Sequence, residues 1–133
     1  MKILLKCSLG SIGPRGELMG KDVRDKDTDY LIEVIDGVEI DGCRFNVETH
    51  GESREIRIIT EGSDLSDHVT PNYPDKINVV KQIVHCSPEA RTTSSVLNKF
   101  IRKTNKVLSR EPVNKGKQRP PNILLIKSVE EIS

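Results

Sequence analysis

Tryptophan is absent, and two Phe and two Tyr make up the whole aromatic supply, 3% of 133 residues. A core built from this chain must therefore rest on Ile, Val and Leu rather than on rings. Cysteine is scarce too. Cys7, Cys43 and Cys86 are odd in number and far apart, which excludes a disulfide framework, points to a reducing cytoplasmic setting and makes buried free thiols the default expectation. Long hydrophobic runs are missing: the apolar stretch at Ile3-Leu4-Leu5 is too short for a signal peptide or a spanning helix and reads as a strand. The formal charge of +1 gives no global pull towards nucleic acid or an anionic membrane.

The residue types that carry chemistry are scattered. His50, His68 and His85 fall in no compact metal-ligand spacing, and Asp64, Asp67, His68 and Asp75 sit in a stretch polar enough to hold acids as mere solvation. His85 and Cys86 are adjacent, so in a strand they point to opposite faces and cannot activate each other. Ser94, Ser95 and Ser109 lie within or at the end of a helix, with no glycine-rich elbow and no obvious base. No catalytic residue and no metal site is expected in this chain.

What is present fits one domain over 1–133, long enough to bury a core without staples. Gly10, Gly13, Pro14 and Gly16 punctuate a strand, a turn and a second strand near Glu17 to Met19. Asp25 to Asp29 place carboxylates at a helix start, Leu31, Ile32 and Ile35 share one face, and Gly37 ends that helix. Arg44 to Glu48 and Glu55 to Ile58 alternate as half-buried strands, linked through Thr49 to Arg54. Glu61 to Pro74 reads as a long irregular loop. Ser87 as cap, Pro88 at the first helical position and Glu89 open a long helix whose stripe is Val96, Leu97, Phe100, Ile101, Val107 and Leu108; Pro112 stops it. Ile123 to Ile126, apolar on both faces, reads as a central strand. The order β-β-α-β-β-α-β predicts an α+β fold: a small mixed β-sheet of about four to five strands with two main helices covering a face.

Basic residues gather late, at Lys99, Arg102, Lys103, Lys106, Arg110, Lys115, Lys117 and Arg119. They could meet phosphate, of nucleic acid or of a small metabolite; a solvated helix face and loop is the competing reading. With so few rings left for base stacking, a nucleic-acid partner is disfavoured.

The stretch SPEARTTSSVLNKFIRKTNKVLSREPVN, followed by RPPNILLIKS, resembles the archaeal-type 2,3-bisphosphoglycerate-independent phosphoglycerate mutases of the alkaline phosphatase superfamily. Pro112-Val113-Asn114 and Pro120-Pro121-Asn122 carry the resemblance most clearly. LSDHVTPNYPDK looks like the family's Leu-Ser-Asp loop, and SREIRII looks like its His-Arg strand entry, with Ser53, Tyr73 and Asp75 standing where the family has a histidine, an acid and a histidine. The resemblance covers the family's smaller, inserted domain. It implies that the phosphorylated serine and two divalent metal ions (manganese, magnesium or zinc) belong to a phosphatase-like catalytic domain, in the same or another chain, and that this part holds the glycerate while 3-phosphoglycerate and 2-phosphoglycerate interconvert. No cofactor is then expected in this chain. Arg54 is the leading candidate to hold the ligand's acid, since a guanidinium both neutralises and orients it. Lys76 joins it from the loop, Asn114 and Asn122 hold turns with a lesser claim on ligand, and Lys115 and Arg119 are weaker candidates. Two other readings stay open: a free-standing regulatory or scaffolding relative that has lost the ligand, favoured by the replacements at Ser53, Tyr73 and Asp75, and a nucleic-acid-binding module.

Overall fold

The computed structural model describes residues 1–48, 55–75 and 81–132. Along the chain run β1 (Lys2–Ile12), β2 (Leu18–Gly20), α1 (Thr28–Val34), β3 (Val38–Ile40), β4 (Cys43–Val47), β5 (Ile56–Glu61), β6 (Val69–Thr70), β7 (Val84–His85), α2 (Arg91–Arg110) and β8 (Ile123–Glu131). The α+β class holds. Where a mixed sheet was expected, every pairing among the described residues is antiparallel, and the main sheet has six strands in the order β2-β1-β5-β4-β3 with β8 also on β1. The reason lies in the connections: hairpins join most neighbours, and no helix serves as a crossover between parallel strands.

β1 is the axis. Its residues from Lys2 to Cys7 pair with β5, and those from Ile3 to Gly10 pair with β8. Alternation sorts its side chains, so Ile3, Leu5, Cys7 and Leu9 enter the core cluster with Ile56 and Ile58 of β5. Leu31, Ile32 and Ile35 from the α1 region, and Val96, Leu97, Phe100, Ile101 and Leu108 of α2, cover that face. Phe45 and Phe100 stack with ring centroids 3.9 Å apart and planes 8° from parallel, so half of the small ring supply marks where α2 meets the sheet.

Several local expectations need correction. Ser87 does not cap the long helix: its hydroxyl is buried without a hydrogen bond among the described residues, and a 3-10 turn at Pro88–Ala90 leads into α2 instead. The turn satisfies the early amides through main-chain bonds such as Ala90 N–H to Ser87 C=O. Cys86 is exposed, unlike Cys7 and Cys43, because it follows the short outer strand β7. The long loop is less irregular than expected, since β6 within it pairs with β7. The strand β3 was missed; it forms a hairpin with β4 through Asp41 and Gly42, both at positive φ (50° and 82°), as a two-residue turn demands. The link through 49–54 lies outside the described residues.

β8 was expected to be central. Its residues Ile123 to Ile126 are indeed almost fully buried, yet among the described residues it pairs with β1 alone. Asn72 closes the outer edge. The Asn72 side chain, itself fully buried, accepts from Ile126 N–H at 2.6 Å and donates to Leu124 C=O at 3.3 Å, and Tyr73 N–H donates to Ile126 C=O at 3.1 Å. A carboxamide thus does the work of a neighbouring strand. Asn72→Ala leaves two buried main-chain groups unpaired and is expected to cost about 1–3 kcal/mol, seen as a lower urea midpoint at unchanged slope. A change within about 0.5 kcal/mol would mean that the edge does not depend on it.

Candidate functional site

Three concavities differ in what they could hold. The widest, about 700 Å³, lies between the β1–β2 hairpin and the loop after α2. Lys117 is the only charged residue described in its wall, and it is engaged by Asp25 at 2.9 Å and Asp27 at 2.7 Å. Burial lowers the Lys117 ammonium's affinity for its proton, but the two carboxylates outweigh it and raise the pKa; Asp25 is correspondingly lowered despite its own burial. This lysine ties the loop to the start of α1 and is not available to an anion. A second concavity of about 490 Å³ at the start of α2 sets Asp41 and Asp64 against Arg91.

The third, about 300 Å³, is the most mixed in chemistry. Ser8 and the buried Cys7 come from β1, Asp22 and Arg24 from the segment after β2, Glu55 from the entry to β5, and Lys127 from β8. Burial pushes the Cys7 thiol far up, so it stays protonated and inert. Arg24 pairs with Asp29 at 3.0 Å. Glu55 is the first residue described after 49–54, the stretch that contains Arg54.

Lys127 reaches this wall through a fault in the ladder. Cys7 pairs with Ile126 and Lys6 with Ser128, so one step along β1 matches two along β8 and Lys127 is the extra residue of a β-bulge. Bulges re-aim side chains in this way. The Lys127 ammonium lies 3.3 Å from Asp22, and both it and the Lys21 ammonium stand 5.1 Å from the centre of the Tyr73 ring. The Tyr73 hydroxyl donates to Asp22, and Lys21 also reaches Pro74 C=O at 3.5 Å. Asp22 itself adopts a left-handed conformation with φ 54°, which Asp tolerates better than most residues. Burial raises its carboxyl, but hydrogen bonds from the Tyr73 and Ser8 hydroxyls and the Lys127 ammonium outweigh that and hold it below its ordinary range.

The predicted site residues divide. Arg54 and Lys76 lie outside the described residues, as do His50 and Ser53. Asn114 is buried, and its amide donates to Leu108 C=O at 2.9 Å and Pro121 C=O at 3.0 Å, fastening the end of α2 to the start of β8. Asn122 takes both main-chain groups of Ile12, at 2.8 and 2.9 Å. Both carboxamides therefore hold backbone. Lys115 and Arg119 are exposed; the Arg119 stem lies against Gly20, where an added Cβ would be 3.8 Å from its Cδ. Lys21, Asp22 and Lys127 were not singled out from sequence, and a lysine inside a bulge leaves no periodic trace. Asp75, which was weighed as a cation ligand, pairs with Lys81 at 2.9 Å. Among the described residues no three His, Cys, Asp or Glu side chains gather as a metal site, and no helix is long and apolar enough to cross a membrane.

The fold is that of part of a solved enzyme: 98% of the chain superposes on 37% of the cofactor-independent phosphoglycerate mutase from Thermoplasma acidophilum, with a TM-score of 0.86 at 21% identity. Residues 2–114 match the family model described as 2,3-bisphosphoglycerate-independent phosphoglycerate mutase. Relatives with that same description come from Methanococcus aeolicus (28% identical, 96% of this chain, 33% of the relative), Methanopyrus kandleri (29%, 98% and 34%) and Methanosphaera stadtmanae (31%, 77% and 27%). The chain belongs to this family, and it spans about a third of the length of the curated relatives it matches.

Tyr73 offers a direct reading of the cluster. Burial first, and then the hydrogen bond and charge of Asp22, raise its phenol to about 12. Because the folded value lies above the unfolded value of about 10, the bond's contribution is complete below about pH 10 and is lost as pH rises through the folded value. An ultraviolet titration of the Tyr30→Phe variant, which leaves Tyr73 as the sole phenol, is expected to show ionisation near pH 12, moved down by Asp22→Asn. Ionisation at the ordinary value in the parent would contradict the arrangement.

Proposed function

We propose that this chain is the substrate-holding part of a 2,3-bisphosphoglycerate-independent phosphoglycerate mutase, binding the glycerate while a phosphatase-like domain, in the same or another chain, performs phosphoryl transfer between the 3- and 2-positions. The family match carries the reading, and the mixed-charge cavity lined by Asp22, Arg24, Glu55 and Lys127 supports it. A phosphoglycerate presents acid groups and a hydroxyl. Cations orient the former, and a carboxylate such as Glu55 accepts the latter. Arg54 is the residue we assign to the acid, with Lys76 as its partner.

The chain's own work in this scheme is positioning, since holding a reactant in a fixed pose removes much of the entropic cost of the later step. Two divalent ions of the catalytic part would stabilise charge on the phosphoryl group. The described donors here do not make a site for them, and no step of this chain runs through a metal. β1 and β8 supply a fitting geometry for attachment: Ile3 pairs with Glu131, so the outer ends of these two strands lie side by side.

Calorimetric titration of the chain with 3-phosphoglycerate, followed by assay for 2-phosphoglycerate, tests the proposal. Saturable binding without turnover is expected, weakened about tenfold or more by Arg54→Ala, as loss of a charge-assisted bond implies. Turnover by the chain alone would overturn the division of labour. Absence of binding would favour the non-catalytic relative that has lost the ligand, a reading to which the Asp75–Lys81 pair lends its own support.

A further inference from the structure

The two helices sort charge by sign. Both cover the same face of the sheet, and the Tyr30 hydroxyl of α1 donates to Glu111, just past α2, at 3.2 Å, so their outward sides lie next to each other. α2 holds six Lys and Arg and neither Asp nor Glu. Asp25 to Asp41, the stretch that contains α1, holds seven acids against one base, Lys26. Part of this charge is matched within the chain: Lys99 takes Asp41, and Lys117 takes Asp25 and Asp27.

What is left over is ordered. Arg102, Lys106 and Arg110 are exposed, follow one another by a turn on the outward side of α2, and make no ion pair among the described residues. Four residues rise about 6 Å, so the row is about 12 Å long. On α1, Glu33 is likewise exposed and without an ion pair among the described residues, and beside it Tyr30, 48% exposed, is the one exposed ring. Like charges at every fourth residue work against the helix that carries them. Solvation alone is served as well by mixed signs, so it does not account for the sorting.

An acidic strip beside a basic strip on one face is self-complementary. A two-fold axis along their border lays each strip over the opposite strip of a second copy. A nucleic acid fits less well, since the whole chain carries only +1 and acids border the basic row, where phosphates would meet both signs. We propose that the outer surface of α1 and α2 is an interface between two copies of this chain, with Arg102, Lys106 and Arg110 of each facing Tyr30 and Glu33 of the other. A cation over the Tyr30 ring adds its own attraction. The contact is polar, so the association is weak and sensitive to salt. This interface does not depend on the function proposed above.

Sedimentation equilibrium of the full chain at about 50 mM and about 500 mM salt tests the interface. A reversible dimer is expected at the lower salt, weakened about tenfold or more at the higher. Lys106→Glu and Glu33→Lys are each expected to weaken it about tenfold or more with unchanged melting. Arg102→Glu, one turn earlier, is expected to act as Lys106→Glu does and stands in for it should that variant melt early. An equimolar mixture of Lys106→Glu and Glu33→Lys is expected to recover the parental association, because in the mixed pair each reversed charge meets the other and the second contact keeps its original signs. A parent that stays monomeric at the lower salt, a dimer indifferent to both reversals, or a mixture that does not recover would overturn the interface. Retardation of a DNA duplex by a monomeric parent would overturn it in favour of a phosphate backbone as the partner.

Discussion

Two buried carboxamides finish what the strands begin. Asn122 takes both main-chain groups of Ile12 at the end of β1, and Asn72 takes Ile126 N–H and Leu124 C=O on the free edge of β8. Buried main-chain groups without partners are costly, so strands this apolar need an edge partner in place of water. With Asn72 in place the loop after β6 lies along β8, and Tyr73 follows it onto the Asp22–Lys127 pair. The cavity wall is thus a consequence of how the sheet is closed.

The same logic explains the sequence motifs that looked functional. Pro112-Val113-Asn114 and Pro120-Pro121-Asn122 set a 3-10 turn and a strand entry; Asn114 binds backbone across the gap between α2 and β8, and Asn122 binds the backbone of Ile12 in β1. Lys117, a member of the basic cluster, is a clasp on the start of α1. Lys99 pairs with Asp41 at 2.7 Å, and Lys103 donates to Glu39 C=O at 3.3 Å. Three of the eight basic residues are therefore engaged within the chain, which takes something from the nucleic-acid reading.

Strong periodicity made much of the fold legible. The α2 stripe, apart from the half-buried Val107, and the alternation in β4 and β5 translate into burial, because each has one side to hide. The hairpin of β3 and β4 was equally readable in principle: Asp41-Gly42 sits between alternating residues, a turn signal that was passed over. The edge position of β8 was not readable, since a strand covered by a side chain carries the same apolar run as one covered by another strand. The Lys127 bulge was not readable either. Register is a relation between two strands, and neither sequence alone contains it.

Function followed a similar division. Resemblance led to the family, and the fold likeness and family match agree with it. Composition alone led only to an absence of obvious catalytic groups. The wall of Ser8, Asp22, Glu55 and Lys127 comes from four separate stretches that only the closed sheet brings together. A crystal structure of the chain with 3-phosphoglycerate tests this account most directly. Ordered 3-phosphoglycerate with an acid oxygen about 3 Å from the Arg54 guanidinium is the expected result. A ligand seated instead beside Lys115 and Arg119, with Arg54 untouched, would contradict it.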